Sequence, residues 1–136
     1  MSNFKVFDIA GSGMSAQSVR LNTVASNLAN ADSVSGDPNS VYRAKHPVFQ
    51  AVMGSGSDLS TASVKVTGIN ENQAAPDARY DPGNPLADAQ GNVYAPNVNV
   101  VEEMADMISA SRSYQNNVEV LSTSRDMMLA TLKLGQ

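Results

Sequence analysis

Residues 100–134 read VVEEMADMISASRSYQNNVEVLSTSRDMMLATLKL, and this stretch decides the architecture. Val100, Met107, Tyr114, Leu121 and Met128 recur every seven residues. Met104, Ser111, Val118, Arg125 and Leu132 fill a second seam three or four residues further on. Such spacing gathers side chains on one face of a helix. At a rise of about 1.5 Å per residue the helix is roughly 50 Å long. A start signal precedes it: Asn99 can cap the first turn and Glu102 can reach back to the cap. Glu102, Glu103 and Asp106 crowd the first turns and Lys133 sits in the last, both favourable to the helix dipole, with Gly135 as terminator.

The first third of the chain echoes the pattern. Phe7, Met14, Leu21 and Leu28 form one seam, and Ala10, Gln17, Val24 and Ala31 the other. The start falls between Ser2 and Asp8, and Gly11 and Gly13 leave room for another backbone to approach. From Ser12 to Asn30 the only charged residue is Arg20. The rest of that face is Ser, Ala, Gln and Asn, which suits either a mildly polar surface helix or one enclosed by other subunits. The second reading is favoured, because a solvated helix normally carries more Lys and Glu.

All six prolines lie between Pro38 and Pro96. Proline-free ends therefore enclose a turn-rich insert. The expected fold is mainly α with a small β insert. The long N- and C-terminal helices pack as an antiparallel coiled-coil-like pair, joined by a turn-rich β region. The divisions are an N-terminal helix over 1–31, a turn-rich β insert over 32–97 and a C-terminal helix over 98–136.

Within the insert, Val41–Met53 is strand-like, with Pro47 placing it at an edge or splitting it. Gly54–Asp58 reads as a connector, and Val64–Thr67 as a half-buried strand ended by Gly68. Asn70–Ala78 reads as irregular, and Tyr80–Pro85 and Asp88–Asn92 as turns before a short strand Val93–Ala95. Three or four short strands with few large apolar residues make a small core that leans on its neighbours.

The seams are imperfect, since Gln17, Ser111 and Arg125 occupy positions where Leu or Ile would stabilise a coiled coil. The terminal helices are therefore expected to be marginal in an isolated monomer and to order on assembly.

Composition narrows function. The 136 residues suffice for one domain with a modest core, at 42% hydrophobic content and 5% aromatic. A formal net charge of -4 without a basic run gives nucleic acid little to bind. There is no cysteine, hence no disulfide or thiol chemistry, and the compartment stays open. The first residues lack a signal-peptide pattern, and no window is apolar enough to span a membrane. This leaves a cytoplasmic protein or one exported by a route that reads no such signal.

Catalytic patterns fail one by one. The lone His46 has no Cys or second His to share a metal and reads as an edge-strand histidine. Asp77, Asp81 and Asp88 lie in turn sequence, where Asp bonds its own backbone. Gly11-Ser12-Gly13 lacks the strand and Lys of a phosphate loop, and no elbow motif supports a serine triad. No enzyme activity and no cofactor are expected. Met104, Met107, Met127 and Met128 suit irregular helix-on-helix contacts or an adaptable binding groove.

Leu21-Asn22-Thr23-Val24-Ala25-Ser26-Asn27-Leu28-Ala29-Asn30-Ala31 resembles the N-terminal signature of the bacterial flagellar rod and hook family. Tyr80–Pro85, Asp88–Tyr94, Pro96–Met104 and Ala110–Glu119 resemble its proximal-rod members, and the likeness covers essentially the whole chain, least distinctively over 54–75. The spacing from Gly36 to Tyr42 departs from the distal rod and hook proteins and agrees with the proximal-rod type.

The resemblance implies a structural subunit of the proximal rod that assembles helically and transmits motor torque across the periplasm. Its implied partners are copies of itself, other rod proteins, further basal-body components, and the flagellar type III export apparatus during secretion. It implies an inner tube of terminal helices with the insert outside. The residues expected to form that assembly interface are Phe7, Met14, Leu21, Val24, Leu28, Met104, Met107, Tyr114, Val118, Leu121, Met128 and Leu132. The alternative is a cytoplasmic helical adaptor or export chaperone that binds partners without polymerising, for which the turn-rich insert has no obvious use.

Overall fold

A computed structural model describes residues 3–54 and 62–134, with side chains from Lys5 onward. The connector at Gly54–Asp58 and the terminator Gly135 therefore lie largely outside the described residues. Two long helices, α1 (Asn3–Asn30) and α2 (Val100–Leu134), bracket four strands: β1 (Lys45–Met53), β2 (Ala62–Glu71), β3 (Asp77–Tyr80) and β4 (Asn92–Ala95). The fold is mainly α with a small antiparallel β insert, as the heptads and the proline partition require.

The helices run antiparallel. Asn27 faces Glu103, Arg20 faces Asp106, and Gly13 faces Asn117. Asn99 caps α2: its Oδ1 accepts from the backbone N–H of Val101 at 3.1 Å and of Glu102 at 3.3 Å. Only this half of the expected capping box forms, because the Glu102 carboxylate does not return to Asn99.

β1 and β2 make one antiparallel hairpin and β3 and β4 another. β1 begins at Lys45 rather than Val41, and Pro47 sits inside it, tolerated because a two-stranded sheet has only edges. β2 does not stop at Gly68. Val48 pairs with Gly68 and Phe49 with Val66, so Thr67 is an extra residue that bulges out while the strand continues to Glu71. The stretch read as irregular thus supplies the end of β2 and the start of β3. Its polar side chains are compatible with strands because both faces of these small hairpins meet solvent widely.

Hydrogen bonds fasten the insert to α1 and hold its parts together. Ser12 Oγ on α1 accepts from Val64 N–H at 3.1 Å. Asn97 accepts from Ala44 N–H through Oδ1 and donates to Ala74 O through Nδ2, at 3.1 and 3.0 Å. Ser35 and Tyr94 exchange backbone hydrogen bonds of 3.0 and 2.8 Å, adding a third rung beside β4. Among the described residues the buried apolar side chains are few and mostly small: Ala10, Ala16 and Val24 on α1, Ala110 on α2, and Val41, Ala44, Val93 and Ala95 in the insert.

Candidate assembly interface

The two seams expected on α2 meet different fates. Met107, Tyr114, Leu121 and Met128 are half-buried. The residues that complete their seam are Glu103, Ala110, Asn117 and Ser124, each one position before the expected Met104, Ser111, Val118 and Arg125. Ala110 is 0% exposed. Met104 is 55% exposed, Val118 43% and Leu132 68%. On this second seam the more polar or smaller Glu103, Ala110, Asn117 and Ser124 turn inward beside the half-buried Met107, Tyr114, Leu121 and Met128, while Met104, Val118 and Leu132 face out. A Cβ on Gly13 would stand 2.9 Å from Asn117 Nδ2.

On α1, Val24 is buried while Phe7, Met14, Leu21 and Leu28 are half-buried. Ser15, Ser18, Asn22, Ala25 and Ala29 are exposed, which leaves a small-residue face on the single chain.

Six of the large exposed apolar residues of α2 form a stripe, while Val101, Val120, Met127 and Leu134, also exposed, point elsewhere. Val100, Met104, Ile108, Val118, Leu129 and Leu132, all exposed, fall within about 120° of circumference at roughly 100° per residue. Ile108 and Leu129 belong to it and were missed by the heptad reading, since neither lies on a seven-residue repeat of the chosen seams. The end of α2 is also uncovered. The register of Asn27 against Glu103 and Gly13 against Asn117 sets Asn3 opposite Met127, so Met128–Leu134 run on past α1 by about 10 Å.

A polar node anchors the opposite end of the helix pair. Asn27, 0% exposed, uses its whole side-chain capacity. Its Nδ2 donates to Glu103 Oε1 and to Lys45 O, and its Oδ1 accepts from Lys45 N–H and Tyr42 O–H, all at 2.9 Å. Ser26 Oγ lies 3.0 Å from the Tyr42 hydroxyl. Glu103 is 3% exposed, and its second oxygen, Oε2, is buried with no hydrogen-bond partner among the described residues. Nothing in sequence spacing flagged this node beyond the Asn27 and Glu103 that the family-like segments contain. Beside it, Arg20 Nη2 meets Asp106 Oδ1 at 2.6 Å.

The carboxylates weighed for chemistry have local work. Asp88 Oδ1 accepts from Gln90 and Asn92 N–H at 2.9 and 2.8 Å, and Oδ2 from the Tyr94 hydroxyl at 3.2 Å. These bonds, led by that from Asn92, hold its carboxyl below the usual range. Asp81 accepts from the Asn84 side chain, and Asp77 faces Arg79 at 3.9 Å. His46 lies exposed on β1. Among the described residues no three His, Asp or Glu side chains are grouped to hold a metal ion, and no helix is long and apolar enough to cross a membrane.

Comparison with known proteins places this geometry. Residues 7–36 match the family described as flagella basal body rod protein, and residues 89–134 match the flagellar basal body rod FlgEFG protein C-terminal family. The two matches fall on α1 and on β4 with α2. The flagellar basal-body rod protein FlgC of Salmonella typhi is 57% identical over 136 residues, all of both chains. FlgC of Yersinia enterocolitica is 55% identical over the same full length. FlgC of Agrobacterium fabrum is 42% identical over 127 residues, 93% of this chain and 90% of that one. With both terminal helices matched and identity of up to 57% over the full length, the chain belongs to the flagellar basal-body rod protein family, in close likeness to FlgC.

Proposed function

We propose that this protein is a structural, non-catalytic subunit of the flagellar proximal rod. It polymerises helically with itself and with other rod proteins, conveys motor torque across the periplasm, and reaches its site through the flagellar type III export apparatus. Residues 1–31 and 98–136 form the axial part, and the insert 32–97 lies outward. The carrying observation is full-length similarity to FlgC, 57% over 136 residues, from the first helix to the last.

The distribution of apolar surface supports this reading. A monomeric helix pair would turn its large apolar residues inward, whereas here Met104, Val118 and Leu132 face out beside Val100, Ile108 and Leu129. Half-buried Phe7, Met14, Leu21, Leu28, Met107, Tyr114, Leu121 and Met128 rim the same helices and can be covered further by a neighbour. In the assembly the overhanging Met128–Leu134 packs on an adjoining subunit.

The test is electron microscopy of purified basal bodies carrying a tag at the exposed Gly83 turn. Ordered label along the rod is the expected result. Unlabelled rods with a soluble tagged pool in the cytoplasm, in cells that stay motile, would favour the adaptor instead.

A further inference from the structure

The node at Glu103 carries a consequence for how the fold closes. Three elements converge on it: α1 through Asn27, α2 through Glu103 itself, and the start of β1 through the Lys45 backbone. An ionised carboxylate wants acceptor bonds at both oxygens and a cation nearby, and at 3% exposure water supplies neither. Among the described residues Oε1 has one amide N–H, and Oε2 has none.

The cations of the neighbourhood are committed elsewhere. Arg20, facing from α1, is held by Asp106 at 2.6 Å. Lys45, from β1, reaches Glu71 at 3.7 Å and lies over the Tyr42 ring at 5.7 Å. His46 on β1 is near enough to favour the anion, but it forms no ion pair with Glu103. On α2 itself, Glu102 and Asp106 add negative charge beside it.

We infer that Glu103 sits in the node as the neutral acid, so that docking α1 and the β1 hairpin onto α2 takes up one proton. Asn27 then joins two neutral partners, and the junction is a proton-linked latch. Burial pushes the Glu103 carboxyl up, Asp106 and Glu102 push the same way, and the Asn27 bond and His46 offset only part of this. The sign follows. A carboxyl that binds its proton more tightly in the folded chain makes folding more favourable under acid conditions. That advantage is lost as pH rises from the ordinary glutamate range through the raised folded value. Proton-linked closure is a property of the single chain and does not depend on what it assembles with.

The experiment is urea unfolding of the full-length chain and of Glu103→Gln, which keeps the acceptor for Asn27, from about pH 5 to about pH 8. The ratio of the wild-type to the variant unfolding constant should climb with pH, by up to about tenfold per pH unit for one linked proton, and then level off. A ratio that is flat or falls with pH overturns the inference. Should the variant not fold, carboxyl carbon NMR of the wild type decides. Glu103 titrating above the other glutamates sustains the latch, and titration among or below them refutes it.

Discussion

Gly13 and Asn117 stand at the close approach of the two helices, where a Cβ on the glycine would meet the Asn117 amide at 2.9 Å and its Cγ at 3.3 Å. At that point the seam of Glu103, Ala110 and Asn117 faces α1, and the glycine leaves the Asn117 side chain its room. The obstruction is the far end of a flexible side chain. Gly13→Ala should therefore be tolerated, to within about 1 kcal/mol, since Asn117 can swing away and alanine favours the helix. Gly13→Leu should cost about 2 kcal/mol or more, because a wide side chain forces the helices apart. Urea unfolding of the two variants checks the contrast.

Gly36 presents the harder case. A Cβ there would collide with the backbone oxygen of Leu86, which cannot rotate aside. Gly36→Ala should destabilise by about 2–3 kcal/mol, more than Gly13→Ala, and faster amide exchange at Ser35 and Tyr94 should localise the damage.

Asn27 makes four hydrogen bonds from a fully buried position, linking α1 to α2 and β1. Asn27→Ala leaves the Lys45 N–H, the Tyr42 hydroxyl and the Glu103 carboxyl without it. The expected cost is about 3 kcal/mol or more, at the upper end for a single substitution. Thermal unfolding gives the value.

The Arg20–Asp106 pair is short yet partly solvated, with side chains 26% and 38% exposed. Asp106→Asn should cost only about 1 kcal/mol or less, and less still at high salt, where screening weakens the pair. A loss of several kcal/mol independent of salt would mean that the pair bears far more of the fold than its exposure implies.

Assembly separates from folding on α2. Val118→Asp changes an exposed position and should leave unfolding within about 0.5 kcal/mol of wild type while abolishing rods and motility. Leu121→Asp, at a half-buried position, should also abolish assembly with secretion largely intact, but at some cost in monomer stability. Normal motility with both variants would remove the basis for the proposed assembly interface.

Much of this was legible in the residues themselves. Heptads over 7–31 and 100–134 specify two long helices, because a period near 3.6 has few other uses, and Asn99 marks where the second begins. Prolines confined to 38–96 specify where helix cannot continue, and the family-like segments carry identity. Tertiary structure alone decided which side of each helix turns inward. Adjacent seams on α2 differ by one residue, and local pattern favours the apolar Met104 and Val118, while packing against α1 turns Glu103, Ala110 and Asn117 inward. It also extended β2 past Gly68 by a bulge at Thr67, since pairing with β1 outweighs the weak strand propensity of Gly and Asn. Finally, it buried Glu103. A glutamate in the first turn of a helix reads as a solvated complement to the dipole. Only the convergence of Asn27 and the Lys45 backbone on that turn closes it off from water.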